Sequence, residues 1–284
     1  MEIKKVGVVG CGQMGAGITQ VCAQAGYQVI VSEINSELLN KGLKSIDSRL
    51  GRDVEKGRLS PQDKDGILNR IKGTTDTKDF ADCDLVIEAA IENMDLKKKI
   101  FAELDKICPK HTILATNTSC LSIIDMAMVT SRPDKVLGMH FFNPVPVMKL
   151  LEIVKTIATS DETLEAGQTF GKSVGKAIVT AKDTPGFIVN CLLIPFLLNA
   201  IRMLDAGVAT KEDIDTGITL GLNHPMGPLA LADLIGNDTV LFIANGLYEE
   251  FKEPQYAPPS LLRKMVTAGW LGRKTGKGFY EYTK

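Results

Sequence analysis

The chain has 284 residues, 44% of them hydrophobic and 24% charged. That balance fits a soluble globular protein with room for two separate cores and sets aside the disordered and fibrous classes. Its 33 basic and 34 acidic side chains leave a formal net charge of -1, so no global positive field draws it to nucleic acid or to an anionic membrane.

The opening MetGluIleLysLysValGlyValValGlyCysGly runs directly into a glycine turn, so no signal peptide is expected there. Residues 6–9 predict a first strand, and Gly10, Gly12 and Gly15 follow it as GxGxxG, with a helix opening at Met14. In such a turn the glycines allow a tight bend and close approach of a pyrophosphate to the helix amino terminus, although glycine-rich turns also serve plain chain reversal. A second strand over 29–31 ends at Ser32 and Glu33, about 20 residues on, where an acid accepts hydrogen bonds from a ribose and repels a 2'-phosphate. Ile34, Asn35 and Ser36 supply no arginine, so NAD is expected, with NADP as the alternative. A surface acid at a helix start is the plainer reading of Glu33.

Further along, residues 37–56 predict a long helix, 85–87 a strand, 96–107 a helix ended by Pro109, and 113–115 and 136–139 two more strands. This alternation predicts an α/β fold, a Rossmann-type doubly wound parallel sheet over residues 1–183. From Thr184 the texture changes to helices rich in Leu, Ile and Met, broken at ProMetGlyPro and AlaProPro, so residues 184–284 are expected to form an all-α C-terminal domain. The longest apolar run, near Cys191 to Leu198, contains Pro195 and is too short to span a bilayer. Six scattered cysteines without a CxxC pair point to neither disulfides nor a metal site and suit a reducing cytoplasm.

Four segments carry the remaining chemistry: Ile87–Phe101, Ala115–Ile123, Gly138–Val154 with HisPhePheAsnPro, and Asp183–Leu193 with AspThrProGlyPhe. Together with GxGxxG, and over nearly the whole chain, these strings resemble the 3-hydroxyacyl-CoA dehydrogenase family. The resemblance implies hydride transfer between NAD and a short-chain L-3-hydroxyacyl-CoA such as 3-hydroxybutyryl-CoA, giving the 3-ketoacyl-CoA. It implies that His140 is the acid/base, a task suited to an imidazole titrating near working pH, and that Glu152 is its partner, fixing the tautomer. Ser119 and Asn190 are implied to hold the substrate's 3-oxygen, with Asn190 completing the group only when the two domains face one another. Gln13 and Met14 join the glycines and Glu33 as cofactor positions, and Glu92, Lys97, Ser119, Asn143 and Lys274 match further cofactor contacts of the family.

Without the family, His140 could be a packed histidine, Ser119 a helix cap and Asn190 a core amide. Glu152 inside LeuLeuGluIleVal is harder to dismiss, because a charge in an apolar strand needs a partner. Arg49, Arg52 and Lys56 are spaced to share one helix face, which could be an ordinary solvated basic face. The family places CoA contacts on this helix, so Arg52 and Lys56 are expected to meet the CoA phosphates. A homodimer or higher homo-oligomer through the second domain is expected on the same ground. Two rivals stand against this reading: a dehydrogenase of small hydroxy acids, which would commonly use a lysine, and a non-catalytic NAD-binding structural or sensor protein, which would have lost His140, Glu152 or Asn190.

Overall fold

The computed structural model describes residues 2–283 and divides into two compact units, one ending at Thr184 and one beginning at Pro185. In the first unit the apolar runs become strands β1 (Lys5–Val9), β2 (Gln28–Ser32), β3 (Ile71–Thr74), β4 (Leu85–Glu88), β5 (Ile113–Thr116), β6 (Val136–Phe141), β7 (Leu150–Lys155) and β8 (Ala177–Lys182). They form one sheet in the order β3-β2-β1-β4-β5-β6-β7-β8. Neighbours from β3 through β6 run parallel, β7 is antiparallel to β6, and β8 is parallel to β7. The doubly wound α/β arrangement is therefore as expected, with an antiparallel pair added where β6 turns back into β7.

Helices α1 (Gln13–Gln24), α2 (Ser36–Glu55), α3 (Pro61–Leu68), α4 (Met94–Ile107), α5 (Ile123–Ala127) and α6 (Asp161–Ser173) accompany this sheet. Their starts are written in side chains: Asn35 accepts from the Leu38 N–H at 2.9 Å and Asn93 from the Leu96 N–H at 2.9 Å. Each satisfies an amide that the helix itself cannot pair. Val8, Ile18, Val31, Ile46, Ile87 and Phe141 belong to a continuous core that excludes water around the sheet.

The second unit is helical, with α7 (Val189–Asp205), α8 (Lys211–Gly221), α9 (Pro228–Ile235), α10 (Asn237–Phe251) and α11 (Ser260–Thr267) around their own core of Leu197, Ile201, Leu229 and Leu247. Two buried carboxylates organise its tail. Asp233 accepts from the Phe279 and Tyr280 amides at 3.0 and 2.9 Å, and Asp215 accepts from the Leu229 and Ala230 amides at 2.8 and 2.9 Å and from the Tyr280 hydroxyl at 3.0 Å. Among the described residues no helix is long and apolar enough to cross a membrane.

Candidate active site

The glycine turn closes the carboxyl end of β1. Gly10 has φ +93, and a side chain there would meet the Ala89 carbonyl at 2.8 Å; one at Gly15 would lie 1.9 Å from the Gly10 carbonyl, so helix and turn can approach this closely only through glycine. Gly12 is different. Among the described residues nothing lies within 4 Å of a Cβ built there, and the N-terminus of α1 has no side-chain cap. The turn thus combines open space with amides left unpaired by the helix, which is what a dinucleotide pyrophosphate requires. Glu33 sits at its rim and accepts from the Cys11 N–H at 3.0 Å and the Ile34 N–H at 2.8 Å. Its carboxylate is held next to the turn, where a ribose is welcome and a 2'-phosphate is not. Gln13 donates its side-chain amide to Asn143 Oδ1 at 3.1 Å, joining the start of α1 to the segment after β6, while Met14 packs on the core.

His140 and Glu152 are cross-strand partners in the antiparallel register of β6 and β7. Directly opposed residues point to the same face of a sheet, and the Glu152 carboxylate accepts from the His140 ring at Nδ1 over 2.6 Å. Glu152 is wholly buried and His140 is 6% exposed. The imidazole also lies against Phe142, ring centroids 4.5 Å apart, and the following Phe141 N–H donates to Asn117 Oδ1 at 2.9 Å. A fully desolvated carboxylate is tolerated because it is bonded, and in return it holds one ring nitrogen and the ring plane.

At the carboxyl ends of β4 and β5 lies a network that sequence reasoning only partly anticipated. Glu88, fully buried at the last position of β4, accepts from Lys97 Nζ at 2.6 Å, the Ala90 N–H at 2.7 Å and the Thr116 hydroxyl at 2.7 Å. Lys97, 1% exposed, also stands 3.5 Å from Glu92. Glu92 in turn accepts from the Ser119 N–H at 2.8 Å, the Ser119 hydroxyl at 3.3 Å and the Thr118 hydroxyl at 2.9 Å. Ser119 is not a helix cap. The amides at the start of α5 are taken instead by Asp183, 3.1 Å from Ile123 N and 2.7 Å from Ile124 N, which gives the first residue of AspThrProGlyPhe a structural task.

One expectation is corrected. Arg49 does not share an outward cationic face with Arg52 and Lys56; it turns toward α1 and donates to Gln20 at 2.8 Å and to Ser45 at 2.9 Å. Arg52 and Lys56 are exposed at the end of α2. In the second unit, Asn190 is buried in the first turn of α7, and the ammonium of Lys274 is paired with Asp238 at 2.5 Å. Among the described residues no three His, Cys, Asp or Glu side chains gather to hold a metal ion.

Comparison with known proteins adds an independent line. The sequence profile of the 3-hydroxyacyl-CoA dehydrogenase NAD binding domain matches residues 5–184, and that of the 3-hydroxyacyl-CoA dehydrogenase C-terminal domain matches residues 186–282. A 3-hydroxybutyryl-CoA dehydrogenase of Mycobacterium tuberculosis is 48% identical over 282 residues, covering 99% of both chains, and one of Clostridioides difficile is 48% identical over 280 residues, covering 99% of this chain and 100% of its own. The crystal structure of (S)-3-hydroxybutyryl-CoA dehydrogenase from Ralstonia eutropha superposes with a TM-score of 0.96 at 49% identity and covers 100% of both chains. With a glycine turn built for a dinucleotide, a buried histidine–carboxylate pair and two consecutive profiles spanning nearly all of its length, this chain belongs to the 3-hydroxyacyl-CoA dehydrogenase family.

Proposed function

We propose that this protein is an NAD-dependent oxidoreductase that interconverts L-3-hydroxybutyryl-CoA and acetoacetyl-CoA. The observation that carries the chemistry is the 2.6 Å hydrogen bond between His140 Nδ1 and the buried Glu152; the relatives named for 3-hydroxybutyryl-CoA support the short acyl chain.

When bound, NAD supplies the hydride acceptor, or in the reverse direction NADH the donor. Gly10, Gly12, Gln13, Met14 and Gly15 hold its pyrophosphate end and Glu33 its adenosine ribose, with Glu92, Lys97, Ser119, Asn143 and Lys274 assigned to the remaining contacts. In oxidation the C3 hydrogen leaves as hydride while the 3-hydroxyl proton passes to His140, and a ketone is left. Glu152 keeps Nδ1 committed, so proton exchange is assigned to Nε2, and the carboxylate balances the imidazolium that forms. Ser119 and Asn190 donate to the 3-oxygen, where negative charge develops in the reduction direction. Arg52 and Lys56 are the assigned cations for the CoA phosphates.

A cytoplasmic setting is supported by six cysteines none of which is paired. Assembly as a homodimer or larger homo-oligomer is supported by Leu192, Leu220 and Leu222, apolar side chains left exposed on the second unit. The decisive test is spectroscopic: NADH absorbance should fall when the purified protein is given acetoacetyl-CoA, and a flat trace would remove the assignment.

A further inference from the structure

The buried carboxylate of Glu88 lies outside the proton-transferring pair, yet it gathers three pieces of the chain. It binds the Ala90 amide in the segment after β4, the Thr116 hydroxyl at the end of β5 and the ammonium of Lys97 on α4. Its own backbone carbonyl accepts from the Asn117 N–H at 2.7 Å. Thr116 passes the connection on, since its hydroxyl accepts from the Thr118 N–H at 3.2 Å.

The decisive link is electrostatic. Lys97 is almost completely desolvated and faces two carboxylates, Glu88 at 2.6 Å and Glu92 at 3.5 Å. Glu88 takes the near position, so Glu92 is drawn toward the ammonium without collapsing onto it and keeps its oxygens for Thr118 and Ser119. Glu92 grips Ser119 in two unequal ways: a short bond from the backbone N–H at 2.8 Å and a long one from the hydroxyl at 3.3 Å. The short bond fixes the backbone; the long one leaves the hydroxyl able to swing from Glu92 to another acceptor at little cost, since hydrogen bonds weaken with stretching.

We propose that Glu88 is a positioning residue for the reaction: by holding Lys97 it sets Glu92, and through Glu92 it fixes the backbone of Ser119 while leaving the Ser119 hydroxyl available to the substrate's 3-oxygen. This rests on the reading of Ser119 given above. Without the Glu88 charge, Lys97 has one carboxylate partner left, and the ion pair forms at the expense of the Ser119 contacts because an unpaired buried ammonium is costly.

The test is a double-mutant cycle. Glu88→Gln, Ser119→Ala and the combined variant are compared by kcat/KM for acetoacetyl-CoA reduction and by melting temperature. Glu88→Gln should lower kcat/KM by about 10-fold to 100-fold in the wild-type background and far less in the Ser119→Ala background, because residues in one network couple. A role confined to stability would give the same factor in both backgrounds. If Glu88→Gln does not fold, Glu88→Asp, which keeps the charge but draws it back from Lys97, takes its place in the cycle; the same dependence on Ser119 is expected. Equal losses in the two backgrounds, wild-type activity of the Glu88 variant, or a silent Ser119→Ala overturns the proposal. An inactive wild-type protein would overturn the functional reading itself, and the two failures are thereby told apart.

Discussion

His140 and Glu152 are the side chains on which the chemistry turns. His140→Ala should lower kcat by roughly 10²–10⁴, the usual worth of a positioned acid/base, while NADH still binds, because the glycine turn lies between β1 and α1 and His140 on β6. Near-normal turnover in a stopped-flow assay would place the base elsewhere. Glu33 carries the second prediction. Replacing it by Ser removes the charge that Cys11 and Ile34 amides hold at the turn, and the ratio of kcat/KM for NADPH over NADH should rise by at least about tenfold; an unchanged ratio would sink the explanation of cofactor choice. The His140–Glu152 contact was legible because Glu152 interrupts LeuLeuGluIleVal, and a charge among apolar strand residues must be paired. LeuValIleGlu, ending in Glu88, carries the same signal, but its pairing with Lys97 is not legible, because Lys97 lies on a helix nine positions on as one of three consecutive lysines that give no sign of burial.

Strands and turns differ in how openly they are written. The inner strands β1, β2, β4, β5 and β6 are wholly or almost wholly buried and show as apolar runs. β3 and β8 have mixed, half-exposed faces as IleLysGlyThr and AlaIleValThrAlaLys at the two edges of the sheet, so no apolar run marks them. The antiparallel turn of β7 is invisible for another reason: strand direction is set by the connection and not by composition. The glycine turn is the opposite case, since its spacing is its geometry. Gly15→Ala would force a methyl to within 1.9 Å of the Gly10 carbonyl, a backbone clash that only displacement of α1 can relieve. The variant should lose most NADH binding in a fluorescence titration and melt several degrees lower, in keeping with overpacking costs of about 1–3 kcal/mol. Wild-type affinity would mean that the close packing of turn and helix is not needed for the dinucleotide.

Ionisable groups hidden throughout the chain give the protein a built-in weakness to alkali. Burial pushes the thiols of Cys11, Cys108 and Cys120 up to about 11 and those of Cys22 and Cys83 up to about 12. In the second unit burial and the Asp233 charge push the Tyr282 hydroxyl up to about 12, and burial with Asp215 raises Tyr280 as well. The sign follows from proton counting. Each group is neutral when protonated, the unfolded chain releases its proton at the ordinary value, and the native state retains it. Unfolding therefore releases protons at high pH, so stability is complete below about pH 8.5, the unfolded thiol value, and falls as pH climbs toward 11 and 12. For Cys22, wholly enclosed in α1, the loss is on the order of 1 kcal/mol for each pH unit within that window. The thiols lie in the first unit and the two partly buried phenols in the second, so both units lose stability over this range. Under excess reductant, which excludes disulfide formation, the melting temperature should hold between about pH 7 and 8 and drop clearly by about pH 10. A melting temperature that stays level to pH 10 would show that these thiols and phenols ionise in the native protein as they do in the unfolded chain, and that burial does not protect their protons.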